Sequence, residues 1–466
     1  MIFCSFEFLI FFMVILLLTI IIRQNRAKKL ILLAGSCYFY AYWDYRFLPL
    51  LAGLSIVNYY TGSKIASTQV RAGKKRWLVA SIVFDLMILG FFKYFNFFVG
   101  SINSLTLSSE IRLPSMDIIL PIGISFMTFE VMSYTIDIYR GKNKPAASLI
   151  DLSLLVTFFP HLISGPILKP GHFLPQLDRE ITVRWNNVEK GTQIFLLGMV
   201  KKVLVADRMA LFVDPVFKAP QDYGSGTVWL AVIAYAIQIY CDFSGYTDMA
   251  IGSAKCLGFE FPPNFNMPYI SKSITEFWRR WHISLSIWLK DYLYIPLGGN
   301  RKGKLRQYMN LMIVMLLGGL WHGASWNFVI WGGLHGLGLM IHKLYSDHLR
   351  PRAFNSRPYA CMSWLLTMAF VCVAWVFFRS TDFAVSFIII KKMFLIGGIR
   401  GITWYATSLF VIVPVLIISH YLGLKLGDPP YVRYENTWGC FLLFFVLLGL
   451  FYLAPLNSSP FIYFQF

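Results

Sequence analysis

The sequence predicts an all-α, polytopic membrane protein, and three observations carry that prediction. Of 466 residues, 57% are hydrophobic and only 14% are charged, against about 25% charged in an average soluble domain. The mean hydropathy is +0.59. Aromatic residues make up 17% of the chain, with 14 Trp and 25 Tyr, and these two amphipathic rings concentrate at membrane–water interfaces. A single soluble enzyme, a disordered chain and a fibrous protein are thereby excluded.

The 42 Lys+Arg against 23 Asp+Glu give a net charge of +19. Those basic residues cluster in short segments between apolar runs, which is the positive-inside pattern of a membrane protein. On so apolar a background the excess does not read as a nucleic-acid surface. The seven cysteines, at 4, 37, 241, 256, 361, 372 and 440, form no Cys-x-x-Cys pair. Neither a disulfide framework nor a metal site is expected, and they read as small buried hydrophobes.

Taken in order, the first apolar run, 6–22, carries Glu7 at its start and is followed by Arg23, Arg26, Lys28 and Lys29. A signal peptide shows the opposite charge order, so this is a retained span that starts outside and ends in the cytoplasm. The stretch 30–60 predicts two helices broken near Asp44–Pro49. Further spans are expected at 77–99, 118–139, 191–212, 227–250, 307–322, 327–344, 360–378, 403–424 and 437–455, each near the length a bilayer requires. The apolar segment 149–168 carries Pro160, His161, Ser164, Gly165 and Pro166. It predicts a broken or re-entrant helix, since irregular backbone at membrane depth must be buried in protein or line a cavity. In all, roughly eleven to thirteen membrane segments are expected, some re-entrant or interfacial, in one membrane domain, 1–466. Its motif-rich core is 120–336, and no loop is long enough to fold as a separate soluble domain.

The segment 273–292 carries Arg279, Arg280, Lys290 and Asp291, too many charges for a lipid-facing span. It predicts one amphipathic helix, interfacial or buried among others. In 235–250, Gln238 and Asp242 share a helix face by their i,i+4 spacing, and Asp248 follows. These carboxylates are read as partners of Arg279 or Arg280, or as cavity-lining polar groups. Pro296–Arg301 reads as a cytoplasmic turn whose glycine amides and Arg301 could hold a phosphate, with a plain turn favoured.

The most informative ionisable residue is His322. Counted from Arg306 at the cytoplasmic face, it lies ~24 Å along a helix, well across the bilayer, beside Gly318, Gly319 and Gly323. The run 322–327, His-Gly-Ala-Ser-Trp-Asn, predicts a turn inside the protein that lines a cavity with Trp321, Trp326 and Asn327. A neutral imidazole of ordinary pKa, ~6.5, suits removal of a proton from a hydroxyl. His335 reads as structural. His282 could orient that base, polarise an acyl carbonyl or anchor its helix, and the sequence leaves the three open. His342 and Asp347 have the spacing of soluble-domain lipid acyltransferases, but His342 ends a span and reads as solvated. No Gly-x-Ser-x-Gly, Walker A or His-Glu-x-x-His motif occurs, so a serine esterase, an ATP-driven pump and a zinc protease lack support.

With these residues in view, the chain resembles the membrane-bound O-acyltransferase family. More narrowly it resembles the branch of the alginate O-acetyltransferase membrane subunit and the peptidoglycan O-acetyltransferases. The resembling stretches are 120–141, 158–167 (FFPHLISGPI), 238–259, 267–301 and 320–336 (LWHGASWNFVIWGGLHG), with MIFCSFEFL at the start and PFIYFQF at the end. The resemblance implies a tunnel that an acyl donor enters from the cytoplasm, with His322 as the family's histidine and His282 at a second motif position. It further implies O-acetylation of a polysaccharide such as alginate or of peptidoglycan, with acetyl-CoA as donor. Donor-side contacts are expected from Arg279, Arg280 and Arg301. A separate SGNH-type extracytoplasmic partner would receive the acetyl group, in a bacterial cytoplasmic (inner) membrane. Two other readings are D-alanyl transfer to teichoic acid from a carrier protein, and a non-catalytic polysaccharide export subunit.

Overall fold

The computed structural model describes residues 1–105, 112–163, 165–348, 356–396, 400–426, 437–453 and 461–462. Ser164, residues 349–355, 454–460 and the end of PFIYFQF from 463 lie outside them. The described residues form helices joined by short turns, with one isolated parallel β-bridge, Tyr223 to Ile402. The chain divides into two compact units, Met1–Leu196 with Tyr246–Pro262, and Leu197–Gly245 with Pro263–Phe466.

The first unit begins with the Phe6–Ile21 helix, capped by Ser5, whose side chain accepts from the Phe8 amide, and carrying Glu7 in its first turn. A side-chain acceptor and a negative charge both stabilise a helix start. The expected break near 44–49 is present. Asn25–Asp44 ends in a short 3₁₀ turn capped by Asp44, and Leu48–Ser67 opens with Pro49 in its first turn. Arg71–Leu89 runs through a π-helical stretch, Gly90–Tyr94, into Phe95–Leu105. Ile124–Tyr139 is buried along almost all its length. It packs on Leu48–Ser67 and Arg71–Leu89 around a buried polar cluster: Asn58 donates to Asp85 at 2.8 Å, and Ser81 donates to Asn58 at 2.8 Å and to Thr135 at 3.3 Å. This helix was expected from 118; it starts six residues later, because Pro121 and Gly123 hold the chain in non-helical backbone. Gly123 has φ 76°, and a Cβ there would lie 2.4 Å from the Leu162 carbonyl oxygen, so only glycine fits.

The broken segment is also found. Leu149–Thr157, capped by Ser148, stops at Phe158, and a single turn, Phe159–Leu162, follows with Pro160 in it.

In the second unit, Lys304–His322 and Trp326–His348 form a tight helical hairpin. A Cβ on Gly319 would lie 2.2 Å from the Phe328 carbonyl oxygen, and one on Gly332 2.3 Å from that of Met315. Small residues at such a crossing let two backbones approach closely. Arg357–Arg379 packs on this hairpin. Phe383–Met393, absent from the predicted spans, follows; Asp382 caps it, accepting from the Val385 amide at 2.9 Å.

Segment 273–292 departs from expectation. Ile274–Arg280 and Ile283–Leu289 are separate short helices, and His282 between them has φ 43°. The span expected at 403–424 starts at Leu409.

Among the described residues, length and apolar composition qualify four helices to cross a bilayer: Arg71–Leu105, Ser225–Cys256, Arg357–Arg379 and Leu409–Leu426. Their surroundings differ. The apolar window of Ser225–Cys256 is 78% buried inside the protein, and that of Leu409–Leu426 only 11%. Large apolar side chains on Phe6–Ile21 and Leu409–Leu426 face outward, while Asp85, Glu130, Lys202 and Asp242 are buried. Apolar outside and polar inside is the arrangement a bilayer selects. Among the cysteines, Cys241 and Cys256 are buried, but Cys361 is exposed, against the expectation of buried thiols, because it sits on the outer face of its helix.

Candidate active site

His322 is the last residue of Lys304–His322, 4% exposed, where Gly323 takes the chain out of the helix. The expected turn is therefore present, spanning 323–325, with Gly323 buried and Ala324 and Ser325 half-buried. Bulk there is not tolerated, since a Cβ on Gly323 would lie 2.1 Å from the Phe328 ring. The imidazole packs among Trp321 and Trp331, each 5.0 Å between ring centres, and Phe378 at 5.2 Å. His282 stands 6.2 Å from it. The structure thus brings together the two histidines that lie forty residues apart in sequence.

His282 is fully buried, and its left-handed backbone is an uncommon state for a non-glycine residue. Such strain persists only where surrounding contacts over-determine it. Here Asn264 does so. Its backbone oxygen accepts from the Ile283 amide at 2.9 Å, and its side-chain oxygen accepts from the Ser284 amide at 3.1 Å and hydroxyl at 2.9 Å. The same oxygen lies 3.2 Å from His282 Nδ1. An oxygen that accepts a backbone amide is an acceptor, so Nδ1 carries the proton in that contact. In the neutral ring, Nε2 then holds the lone pair. Phe243 covers the ring, 4.7 Å away, and in turn meets Phe461 at 6.1 Å.

His335 is buried, and its Nδ1 accepts from Trp278 Nε1 at 3.2 Å, a structural bond. Trp321 belongs to the histidine cluster, whereas Trp326 is 52% exposed. Asn327 is buried and pins the turn to the end of Arg357–Arg379, donating to the Ser380 carbonyl at 3.0 Å.

Asp242 does not pair with Arg279 or Arg280. Lys202, buried in the π-helical stretch Val200–Ala206, reaches Asp242 at 2.6 Å and Asp207 at 2.8 Å. The Ile462 amide donates to the other Asp242 oxygen at 2.9 Å. A buried ammonium needs carboxylates more than an interfacial guanidinium does, and Arg280 finds Glu276 one turn away at 3.0 Å. Gln238 is buried one turn before Asp242, and Asp248 is half-buried further along the same helix.

Arg279 and Arg280 line a separate cleft. Arg301 is exposed in a plain turn, its amide donating to Gly298 at 3.1 Å. His342 is half-buried against the Thr275 hydroxyl at 2.9 Å, where the sequence suggested a solvated ring. Asp347 pairs with Lys343 at 2.9 Å.

Sequence reasoning missed three arrangements. One is the Asn264 cradle under His282, and another is the Lys202 triad. The third, in the first unit, is Glu130 with His161, 3.3 Å apart and each 1% exposed. The signal for the last two was available: Lys202 and Glu130 are ionisable residues inside expected spans, each a flag by default.

A model of the membrane-bound O-acyltransferase family matches residues 116–393. The protein named "Probable alginate O-acetylase AlgI" in Pseudomonas aeruginosa is 44% identical over 88% of this chain and 77% of its own length. Its namesake in Pseudomonas putida is 39% identical over the full length of both. The peptidoglycan O-acetyltransferase of Helicobacter pylori is 35% identical over 94% of this chain and 91% of its own. With more than half of its length matched by that model, and relatives of the same kind aligned nearly end to end, the chain belongs to the membrane-bound O-acyltransferase family and is a multi-pass membrane enzyme of the O-acyltransferase class.

Proposed function

We propose that this enzyme moves an acetyl group from cytosolic acetyl-CoA across the bacterial inner membrane towards an extracytoplasmic polysaccharide, through a separate SGNH-type partner. The observation that carries the reading is the pairing of His322 with His282 in one buried aromatic pocket. The relatives' names, alginate O-acetylase and peptidoglycan O-acetyltransferase, support acetate as the group and a glycan as its destination.

In this mechanism His322 takes the proton of the accepting hydroxyl as its oxygen attacks the acetyl carbonyl carbon. The new C–O bond forms as the C–S bond breaks, and the thiolate leaves and is reprotonated by the imidazolium. General-base assistance of this kind contributes about 10²–10⁴-fold. His282 is a positioning residue: with its Nδ1 proton committed to Asn264, its Nε2 is suited to accept a hydrogen bond, not to polarise a carbonyl.

The test is ester-linked acetate on envelope and secreted glycans in a deletion strain complemented with wild type or His322→Ala. Acetate restored by wild type alone supports the reading, and the glycan that regains it is the substrate. Restoration by both removes His322 from the chemistry. Acetate that never changes removes acetyl as the group, and D-alanine on teichoic acid is then assayed.

A further inference from the structure

The first unit carries a surface that the histidine chemistry does not use. A short turn joins Leu48–Ser67 to Arg71–Leu89, and from Tyr45 to Phe84 the chain contains no Asp or Glu. Around that turn Arg71, Lys75 and Arg76 are exposed, and Lys64 and Lys74 are half-buried. Among the described residues, none of Arg71, Lys74, Lys75 and Arg76 has an ion-pair partner. A Cβ on Gly62 would lie 2.7 Å from the Tyr134 ring and 3.1 Å from the Ile138 side chain. The end of Ile124–Tyr139 therefore abuts the end of Leu48–Ser67, and the turn after it brings the exposed Lys142 and Lys144 to the same basic end.

Next to these cations the surface turns apolar in register. Lys75, Val79, Val83 and Leu86 are all exposed, and their spacing puts them on one helix face. Lys75 to Leu86 spans ~16 Å of helix, the depth of one leaflet of a hydrocarbon core ~30 Å thick. The apolar window of the continuous helix Arg71–Leu105 is only 17% buried inside the protein. On the neighbouring helix Ile56, Tyr60 and Lys64 repeat the order, apolar to cationic, at four-residue spacing. The two stripes meet where the Tyr60 and Trp77 rings pack edge to face at 5.6 Å, and Lys64 Nζ lies over the Tyr60 ring at 5.3 Å. Trp and Tyr settle at headgroup level, and a ring face holds an ammonium in place. Cation, aromatic ring and apolar stripe thus follow one another in the order of phosphate, glycerol ester and acyl chain.

We propose that this face binds an anionic diacyl phospholipid from the leaflet at its basic end, with the phosphate among Lys64, Lys75 and Arg76 and the chains along Val79, Val83 and Ile56. A cluster of four or more cations at the end of a spanning helix attracts anionic headgroups. The apolar stripes select a lipid over a soluble phosphate, because only a lipid covers both. The ligand is a component of the bilayer and not a reactant, so the site stands whether or not His322 is the base.

The experiment uses the full-length protein in maltoside detergent, with dioleoyl phosphatidylglycerol and dioleoyl phosphatidylcholine added as an equimolar mixture and retained lipid counted by native mass spectrometry. Phosphatidylglycerol should be retained in preference to phosphatidylcholine, and less so as salt rises. Each cation beside an anionic headgroup is worth about fivefold, so Lys64→Gln with Lys75→Gln and Arg76→Gln should cut the preference at least about tenfold. A charge-matched variant in the second unit, Arg301→Gln with Lys302→Gln and Arg306→Gln, should cut it much less. Equal retention of the two lipids by wild type overturns the site. Equal loss in the two triple variants overturns it as well, since net charge alone then sets the preference. Displacement of the lipid by inorganic pyrophosphate at constant ionic strength assigns the cations to a soluble phosphate and also overturns it. Melting curves and a monodisperse elution profile check that the triple variants are folded. Should the first not be, Arg76→Gln alone must lose more of the preference than Arg306→Gln for the proposal to survive.

Discussion

Each unit contains a buried histidine at a helix break, and the two are built on opposite principles. In the first, His161 meets a carboxylate: Glu130 lies 3.3 Å from its Nδ1 and accepts the Leu168 amide at 3.0 Å. That carboxylate therefore holds both sides of the break that Phe158 and Pro160 create. In the second, His322 is walled by Trp321, Trp331 and Phe378, and its histidine neighbour is placed by a neutral amide, Asn264. A carboxylate clamp fixes backbone, whereas a neutral aromatic wall orients a ring and leaves its chemistry to be used. Substitutions in the two places should consequently fail in different ways.

The largest contrast is expected between His322→Ala and His161→Ala. The first should cost at least about 100-fold in acetyl transfer, the low end of general-base effects, at wild-type abundance in the membrane. The second should lower abundance while each remaining molecule keeps near-normal activity. Acetate per unit of immunodetected protein separates them, and a normally abundant, inactive His161→Ala protein would break the comparison.

Glu130→Ala should come next. Removing one member of a buried hydrogen-bonded pair leaves the other without its partner and costs about 1–3 kcal/mol, and the Leu168 amide loses its acceptor as well. The expected readout is a lower thermal midpoint in detergent, with Glu130→Gln intermediate because an amide oxygen can still accept from Leu168. A midpoint equal to wild type for Glu130→Ala would mean that the clamp carries no stability.

How much of this was readable in the sequence depends on where the determinant sits. The break at 44–49 was legible because Asp44 and Pro49 act on their own neighbours. The turn after His322 was legible because Gly323 and Ser325 announce it locally. The break at His282 was not, since no glycine or proline lies within 273–292, and its cause, Asn264, acts from eighteen residues away. Likewise the carboxylate at 242 finds a lysine forty residues earlier, a pairing that helical spacing cannot show. Local chemistry marks where a helix stops; tertiary hydrogen bonds decide where it stops without warning.

Gly332→Ala tests the hairpin that carries His322. Its Cβ would lie 2.3 Å from the Met315 carbonyl oxygen, so the helices must part, whereas Gly333→Ala meets only a Leu316 side-chain carbon at 3.5 Å. Overpacking of this kind costs typically about 1–3 kcal/mol. The first variant should lose stability and activity together and the second neither, as melting curves and acetate assays on the pair would record.

The smallest effect sharpens the role of His282. Its φ of 43° is a state that asparagine tolerates better than alanine, because a short polar side chain bonds locally there. His282→Asn and His282→Ala both remove the imidazole, but only alanine adds backbone strain, of the order of 1 kcal/mol. If His282 serves chemistry by positioning, both variants should lose transfer activity equally while asparagine melts higher by that increment. If it serves only to shape the break, asparagine should recover activity as well as stability. The two readouts move independently under the first role and together under the second, so one pair of proteins decides between them.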